Sequence, residues 1–236
     1  MARSAPAGDL DEAVHGLIGK NPILGSLPPE ERRVLVRRSA VLTLEAREPL
    51  FAEGDEGRAL YVVLQGFVKL ASTTPSGREV ILNVAGPGNV FGELAVLNGW
   101  ARAASAVALS PCRLLSIDGR MLTQALAKTP QAMLAVIRLL SERLSATTAQ
   151  MTDAVDLPAP ARLAKALIHL ASLHARADPD GLCIGLRLSQ QELGALTGLT
   201  RESINKHLAH FRDAGCVRLS GRDITVVDLG ALRQYL

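Results

Sequence analysis

The sequence predicts an α+β chain: an antiparallel roll or sandwich of short strands, then one long helix, then a helix-turn-helix with a hairpin wing. Three observations carry this expectation. From Val41 to about Asp118, short apolar or alternating runs are punctuated by turn signals roughly every eight to twelve residues. From about Gly119 to Asp156, Met133, Ile137, Leu140, Leu144, Thr147 and Met151 recur at alternating intervals of four and three, the spacing of a two-stranded coiled-coil seam. Between Leu188 and Ala214, two segments each begin with an apolar residue followed by a helix-capping hydroxyl, and Gly198 stands between them. The chain thus divides into a tail (1–20), a roll (21–118), a long helix and hinge (119–156) and a C-terminal helical domain (157–236).

A length of 236 residues suits two small domains, and 48% hydrophobic with 21% charged residues is the balance of a packed globular chain. Aromatics are only 3%, so the core must rest on Leu, Val, Ile and Ala. A net charge of +3 permits a nucleic-acid partner without demanding one. No apolar run approaches the roughly 20 residues of a membrane span, and Met1–Asp11 lacks the blocks of a signal peptide, so a cytoplasmic protein without membrane attachment is expected. Cys112, Cys183 and Cys216 are isolated and read as buried, unreactive thiols. His15 is the only histidine before residue 169, so the roll has almost no nitrogen ligands and no metal site is expected there. That shortage also weighs against a cupin-like β-roll enzyme, and no enzymatic activity is expected.

In chain order, a weak helix is expected around Leu10, Val14, Leu17 and Ile18, broken at Asn21-Pro22. Pro28-Pro29-Glu30-Glu31 opens a second helix, since proline fits a first turn and acids favour the positive end; Leu27, Val34 and Leu35 are placed inward. The runs Leu60–Leu64, Val68–Leu70 and Val80–Leu82 then read as strands. Pro130 marks the start of the long helix, and Asp153 to Pro160 reads as a hinge because Pro158 and Pro160 cannot continue a helix. Beyond it Leu163, Ala166, Leu167 and Leu170 share a helical face. His169 and His174 read as surface or helix-end residues.

Within the roll, Phe91-Gly92-Glu93-Leu94-Ala95 is followed by Arg102-Ala103-Ala104-Ser105, with Glu93 and Arg102 nine positions apart. Small residues let a phosphate approach backbone N–H groups, and Arg102 can fork two donors onto it. Glu93 would repel a phosphate and suits a neutral hydroxyl such as a ribose 2′-OH. Together they fit a compact cyclic sugar phosphate.

The string F-G-E-L-A-x-L-x-G-x-x-R-A-A-S resembles the phosphate-binding cassette of cyclic-nucleotide-binding domains, found in the cyclic-AMP receptor/FNR family of bacterial transcription regulators and in kinase regulatory subunits. N-P-I-L-G-S-L-P-P-E-E-R resembles the opening of family members. The resemblance implies a cyclic-nucleotide-binding β-roll (jelly roll) with one short helix at the ligand, a dimerisation helix and a winged helix-turn-helix. It implies that Glu93 holds the ribose hydroxyl and Arg102 the cyclic phosphate, with backbone N–H groups near Gly92, Leu94, Ala103 and Ala104 completing the cradle. Kinase-type domains that prefer cyclic GMP carry threonine directly after the arginine; Ala103 leans towards cyclic AMP. R-L-S-A-T-T aligns with the family's run before the hinge, so Thr147 and Thr148 are expected at the adenine amine, one contribution crossing from a partner chain. Cyclic GMP, a cyclic dinucleotide or no ligand at all remain alternatives. Many relatives carry glycine where Arg47 stands, so a local departure is expected in that turn. Some relatives hold an iron–sulfur cluster on clustered N-terminal cysteines; with isolated cysteines and one early histidine, neither that cluster nor haem is expected here.

In the C-terminal domain Ser189 and Glu192 make a capping box, and the second helix runs from about Arg201 to Ala214. Arg201, Glu202, Asn205 and Lys206 form its polar face, while Ile204, Leu208 and Phe211 face inward. Arginine suits guanine edges and glutamate suits the cytosine amine in the major groove. Ser189 and Thr200 are candidate phosphate contacts, and Gln190 joins them as a DNA-binding candidate. The family's recognition helix carries R-E-x-x-x-R, reading T-G-T-G-A-like half-sites of a palindromic DNA. Here Arg201 and Glu202 match but Lys206 replaces the last arginine and loses its fork, so a relaxed or altered half-site is expected. Cys216–Val227 reads as the wing, and the Ser172–Cys183 loop is a candidate contact for RNA polymerase. The whole reading is a homodimer that binds double-stranded DNA under control of cyclic AMP.

Overall fold

The computed structural model describes residues 3–7 and 12–236, which fall into two units: one runs through Ser145, interrupted by Thr73–Leu82, and the other comprises Ala146–Leu236 together with Thr73–Leu82. The first begins with a strand that the sequence does not announce. Arg3–Pro6 (β1) lies along the sheet edge, its four side chains exposed. An R-S-A-P segment has no alternation to reveal it, and proline in a sheet is confined to such edges. The expected first helix is Glu12–Lys20 (α1); Leu10 lies outside the described residues. Buried Asn21 caps Pro22–Gly25 (α2), its Oδ1 accepting from the Ile23 and Leu24 N–H groups, and its Nδ2 donates to Gly88 O at 2.8 Å. Pro29–Arg37 (α3) follows; Leu27 and Leu35 are buried as expected, but Val34 is half exposed and Val36 packs inward instead. On a 100° wheel Leu35 and Val36 flank one side, and Val34 falls a further step round from Leu35.

Then come Ala40–Leu44 (β2), Pro49–Phe51 (β3), Ala59–Gln65 (β4), Val68–Thr73 (β5), Glu79–Ala85 (β6), Val90–Phe91 (β7), the short helix Glu93–Asn98 (α4), Ser105–Ala108 (β8) and Cys112–Asp118 (β9). They form two antiparallel sheets of order β1-β2-β9-β4-β7 and β3-β8-β5-β6, a jelly roll. One core cluster, with Leu44, Val63, Val68, Phe91, Ala106 and Leu114, fills the roll; a second, with Ile18, Leu24, Leu60, Ile117, Leu122 and Val136, seats the flanking helices. In the Glu45–Pro49 turn Arg47 takes φ +70°, the one non-glycine residue with positive φ among the described residues. The turn expected to differ is therefore closed with a left-handed arginine, held by Arg47 N–H to Ala108 O (2.7 Å) and by Glu48 N–H to Glu45 O (3.1 Å).

Asp118 caps Gly119–Lys128 (α5), and Pro130–Asp156 (α6) is a single helix of 27 residues. The segment Asp153–Asp156, assigned to the hinge from sequence, is helical; the interruption narrows to Leu157 and Pro158. Proline pushes the residue just before it, here Leu157, out of the helical region but leaves earlier residues free to finish their turns. On α6, Ala132, Ala135 and Val136 are buried and Leu140 is half-buried against the roll's flanking core. Leu144, Met151 and Val155 are instead 70%, 68% and 84% exposed, a long apolar stripe without cover in the single chain.

In the second unit Ala159–His174 (α7) starts after Pro158, with Pro160 in its first turn, and Lys165 Nζ reaches back to Asp153 Oδ1 at 2.7 Å. Ala175–Asp178 (β10), Gly181–Ile184 (β11), Gln190–Thr197 (α8), Arg201–Asp213 (α9), Val217–Ser220 (β12), Asp223–Val226 (β13) and Leu229–Arg233 (α10) complete it. The strands make one sheet of order β10-β11-β13-β12, so the wing has four strands where the sequence suggests a hairpin. The Ser172–Cys183 segment supplies its extra edge, and Arg218 on β12 binds both Asp178 and Asp180 across the sheet. Leu163, Leu167, Leu193, Ile204, Leu208, Phe211, Ile224 and Val226 form the buried interior. Among the described residues no helix is long and apolar enough to cross a membrane.

Candidate functional site: a buried cation in the roll and a capped helix pair

The roll places Glu93 and Arg102 in its interior, 1% and 4% exposed. Gly92 makes this possible. It precedes α4 with φ +82°, and a Cβ there would stand 2.6 Å from Arg102 Nη1. Only glycine meets both demands. Glu93 then enters the first turn of α4 pointing inward, while Leu94 is 40% exposed.

Arg102 enters from the loop on the other side. Its N–H donates to Asp55 O (2.8 Å) and its carbonyl accepts from Gly54 N–H (2.9 Å), so the Glu53–Gly57 turn clamps the backbone. The guanidinium donates from Nη1 to Gly92 O (3.0 Å) and from Nη2 to Ala59 O (2.8 Å). Its carbon sits 4.2 Å from the Phe51 ring centroid and 5.3 Å from that of Tyr61. Burial pushes the Arg102 guanidinium below its ordinary value, with Tyr61, Asp55 and Glu93 pulling the other way; an arginine stays charged throughout. Its Nε is buried without a hydrogen-bond partner among the described residues. The sequence suggested two free terminal donors; the structure commits one bond from each to a carbonyl and leaves the Nε edge unpaired.

Glu93 has a partner the sequence reading did not assign. Arg143 on α6 donates from Nη1 to Glu93 Oε1 and from Nη2 to Val90 O at 2.5 Å. The other carboxylate oxygen, Oε2, is buried and unpartnered among the described residues. The signal was available: Arg143 opens the R-L-S-A-T-T run and lies four residues before Thr147, one helical turn away. Two guanidinium cations meet one buried carboxylate here, and the other carboxylate acting on Arg102, that of Asp55, is exposed. Buried charge is tolerated only when compensated, and buried donors and acceptors are normally paired. A negatively charged group with a hydroxyl beside it satisfies both orphaned atoms, so the residues present fit a cyclic sugar phosphate. Ala103 is exposed and Ala104 half-buried just beyond Arg102. Thr147 and Thr148 are exposed on α6 in the residues of the second unit.

The helix pair of the second unit is defined by its caps. Ser189 Oγ accepts from Glu192 N–H (3.2 Å), and Glu192 Oε2 accepts from Ser189 N–H (2.7 Å), the expected capping box. Gly198 closes α8 at φ +69°, and a Cβ on Gly194 would stand 2.6 Å from Leu199 O, so the turn packs tightly. Thr200 Oγ1 accepts from Ser203 N–H (3.2 Å) and starts α9. Ile204, Leu208 and Phe211 are buried, while Arg201, Glu202, Asn205 and Lys206 are exposed together on the opposite side. Gln190 and Ser189 are half-buried and Thr200 is exposed. Burial and the adjacent Lys206 and His210 push the His207 imidazole below its usual value.

Comparison with known proteins agrees with both halves. A cyclic nucleotide-binding domain model matches residues 41–129, and a Crp-like helix-turn-helix domain model matches residues 161–235. The chain is 30% identical over 212 residues to the CRP-like cAMP-activated global transcriptional regulator of Mycobacterium tuberculosis, covering 90% of this chain and 95% of that one. A CRP-family transcriptional regulator from Thermus thermophilus superposes with TM-score 0.69 at 27% identity, covering 82% of this chain and 95% of that one. The c-di-GMP responsive global regulator CLP of Xanthomonas campestris gives TM-score 0.70 at 26% identity, covering 86% and 99%. With an orphaned cation in a jelly roll, a doubly capped helix-turn-helix and these matches along nearly its whole length, the chain belongs to the cyclic-AMP receptor/FNR family of transcription regulators.

Proposed function

We propose that this protein is a homodimeric, cytoplasmic regulator that binds a palindromic DNA site under the control of cyclic AMP. The observation that carries the effector is a pair of orphaned atoms: the unpaired Nε of the buried Arg102 guanidinium, beside the unpaired Oε2 of the Glu93 carboxylate. A cyclic phosphodiester brings an acceptor and a negative charge to that Nε edge, and its ribose hydroxyl can donate to Glu93. Backbone N–H groups near Gly92, Leu94, Ala103 and Ala104 would add to the cradle, and Thr147 and Thr148 would meet the base. The absence of a hydroxyl at Ala103 favours adenine over guanine, as does the likeness to a regulator named as cAMP-activated. The likeness to a c-di-GMP responsive regulator supports a cyclic dinucleotide as the second reading.

The bare stripe of Leu144, Met151 and Val155 supports a second copy as its cover, because exposed apolar faces of this length are costly in a soluble monomer. In such a dimer two α9 helices about 34 Å apart would enter successive major grooves. Arg201, Glu202, Asn205 and Lys206 would read base edges, with Ser189, Gln190 and Thr200 at the backbone. Lys206, a single-point donor, supports a half-site altered from T-G-T-G-A. Effector binding would act by linkage, favouring one arrangement of the dimer. RNA polymerase is the proposed protein partner, with the β10–β11 hairpin as the surface to test.

Titration calorimetry with cyclic AMP, cyclic GMP and cyclic di-GMP tests the effector. Cyclic AMP should bind the tightest, and Arg102→Leu should abolish binding while the melting transition survives. Unchanged affinity in Arg102→Leu removes this residue from the pocket, and tighter binding of the dinucleotide selects the second reading. Sedimentation should show a dimer in the wild type and a monomer when Leu144 and Val155 are replaced by Glu.

A further inference from the structure

The geometry points to Phe51 and Tyr61 as positioning residues for the effector's phosphate: they form an aromatic seat that fixes which edge of Arg102 is offered to the ligand. This rests on the reading of Arg102 as the phosphate-binding residue.

A guanidinium has five N–H donors in one rigid plane. In this pocket the plane is held from three directions. Gly92 O and Ala59 O take one bond each from the terminal nitrogens, at 3.0 and 2.8 Å, which fixes rotation within the plane. The Phe51 ring, 4.2 Å from the guanidinium carbon, fixes its tilt, and the Tyr61 ring at 5.3 Å flanks it. Those two rings are themselves locked into a trio with buried Phe91, with centroid separations of 5.7 Å (Phe51–Tyr61), 6.2 Å (Phe51–Phe91) and 5.4 Å (Tyr61–Phe91). The chain has only four phenylalanines, two tyrosines and one tryptophan; two of those seven rings lie against this one cation and a third, Phe91, packs behind them.

A hydrophobic core needs no aromatic ring at this point: Leu, Val, Ile and Ala build the rest of the roll. What a ring supplies and an aliphatic side chain does not is a negative π-face for a cation with no carboxylate hydrogen-bonded to it among the described residues. The seat therefore substitutes for a counter-ion without occupying the Nε edge. An acidic side chain in its place would neutralise Arg102 and compete with an incoming phosphate. The aromatic and carbonyl seat keeps the charge buried, oriented and available, so the ordering of a long flexible side chain is complete before the ligand arrives.

The test compares Phe51→Leu, Phe51→Tyr and Tyr61→Leu in the full-length chain. Without ligand, the Arg102 Nε–H resonance in an amide-type nitrogen–proton spectrum should be shifted by the ring current and slow to exchange. It should move towards the ordinary arginine position in Phe51→Leu and stay in Phe51→Tyr. With cyclic AMP, Phe51→Leu should bind about three- to thirtyfold more weakly, the range of a partly to fully desolvated cation–π contact, and Phe51→Tyr should restore affinity. Phe51→Leu should also discriminate less than wild type between the two diastereomers of the phosphorothioate analogue, which differ only at the phosphate. An unshifted, fast-exchanging wild-type Nε–H overturns the seat itself. A shifted Nε–H with equal affinity and equal diastereomer preference in Phe51→Leu overturns its role towards phosphate. A wild type with the shifted Nε–H that binds no cyclic nucleotide overturns instead the reading of the ligand and, with it, the positioning role. If Phe51→Leu does not fold, Tyr61→Leu carries the same comparison at the flanking ring: affinity and diastereomer preference equal to wild type there overturn the seat's role towards phosphate.

Discussion

Replacing Arg143 by methionine isolates one term of the pocket's electrostatics. The substitution keeps much of the stem's apolar volume and removes the guanidinium. Glu93 is then left 1% exposed with Oε1 unpaired as well as Oε2, and Val90 O loses its donor. Removing one partner of a buried pair costs about 3–5 kcal/mol, because the remaining charge keeps its desolvation penalty without the attraction that offset it. Arg143 is partly accessible (28% for its side chain), so the lower part of that range applies, about 3 kcal/mol. For a domain of this size that lowers the melting temperature by roughly 10 °C. The double variant Glu93→Gln, Arg143→Met removes the stranded charge and should recover most of the loss, giving a coupling energy of about 2 kcal/mol in a double-mutant cycle. Urea denaturation of the four proteins at pH 7.5 measures it. Additive single effects, with Arg143→Met costing less than about 1 kcal/mol, would refute the view that Glu93 depends on this guanidinium for its place in the roll.

Other consequences are smaller or more local. Arg47→Gly should stabilise the roll by about 0.5–1 kcal/mol, since relief of a left-handed non-glycine outweighs the extra entropy of glycine; thermal melts check it. Arg201→Ala should weaken specific DNA binding by about 1–3 kcal/mol and relax preference at one base pair, whereas an equal loss on all sequences would make Arg201 a phosphate contact. His207 lies below its usual value in the folded state, so as pH falls through about 6.5 the unfolded chain takes up the proton first and stability drops. His207→Gln should flatten that acid limb in melts between pH 7.5 and 5.5.

The parts of this molecule that were legible in the sequence are those written in local chemistry. The turn signals mark the strands, Ser189 and Glu192 mark a helix start, and Gly198 marks a stop, because capping and positive φ are satisfied within a few residues. What the sequence hid is what long-range packing decides. Strand β1 has no pattern of its own and exists by pairing with β2. Val34 and Val36 exchange places because either one can share the inward face with Leu35, and only the rotation of α3 against its neighbours selects between them. Within the pocket, Gly92, Glu93 and Arg102 stand out by motif, but the Ala59 carbonyl, the Phe51 ring and Arg143 arrive from three other places in the fold. None of the groups that hold Arg102 is adjacent to it in sequence, and Arg143 is fifty residues from Glu93, so spacing alone could not assign them.

The meeting of two guanidiniums, Arg102 and Arg143, with one buried carboxylate, Glu93, has a corollary for selectivity. A nucleoside 5′-monophosphate, the ring-opened hydrolysis product of a cyclic nucleotide, carries close to two negative charges at neutral pH. Seated against the same side chains, it would bring a second negative charge beside Glu93, and an unmatched buried ion costs several kcal/mol. A free nucleoside would bring none and leave Arg102 as it was. Under the proposed function, this balance would favour an intact cyclic messenger over both of its breakdown products by charge, before any contact with the base is made.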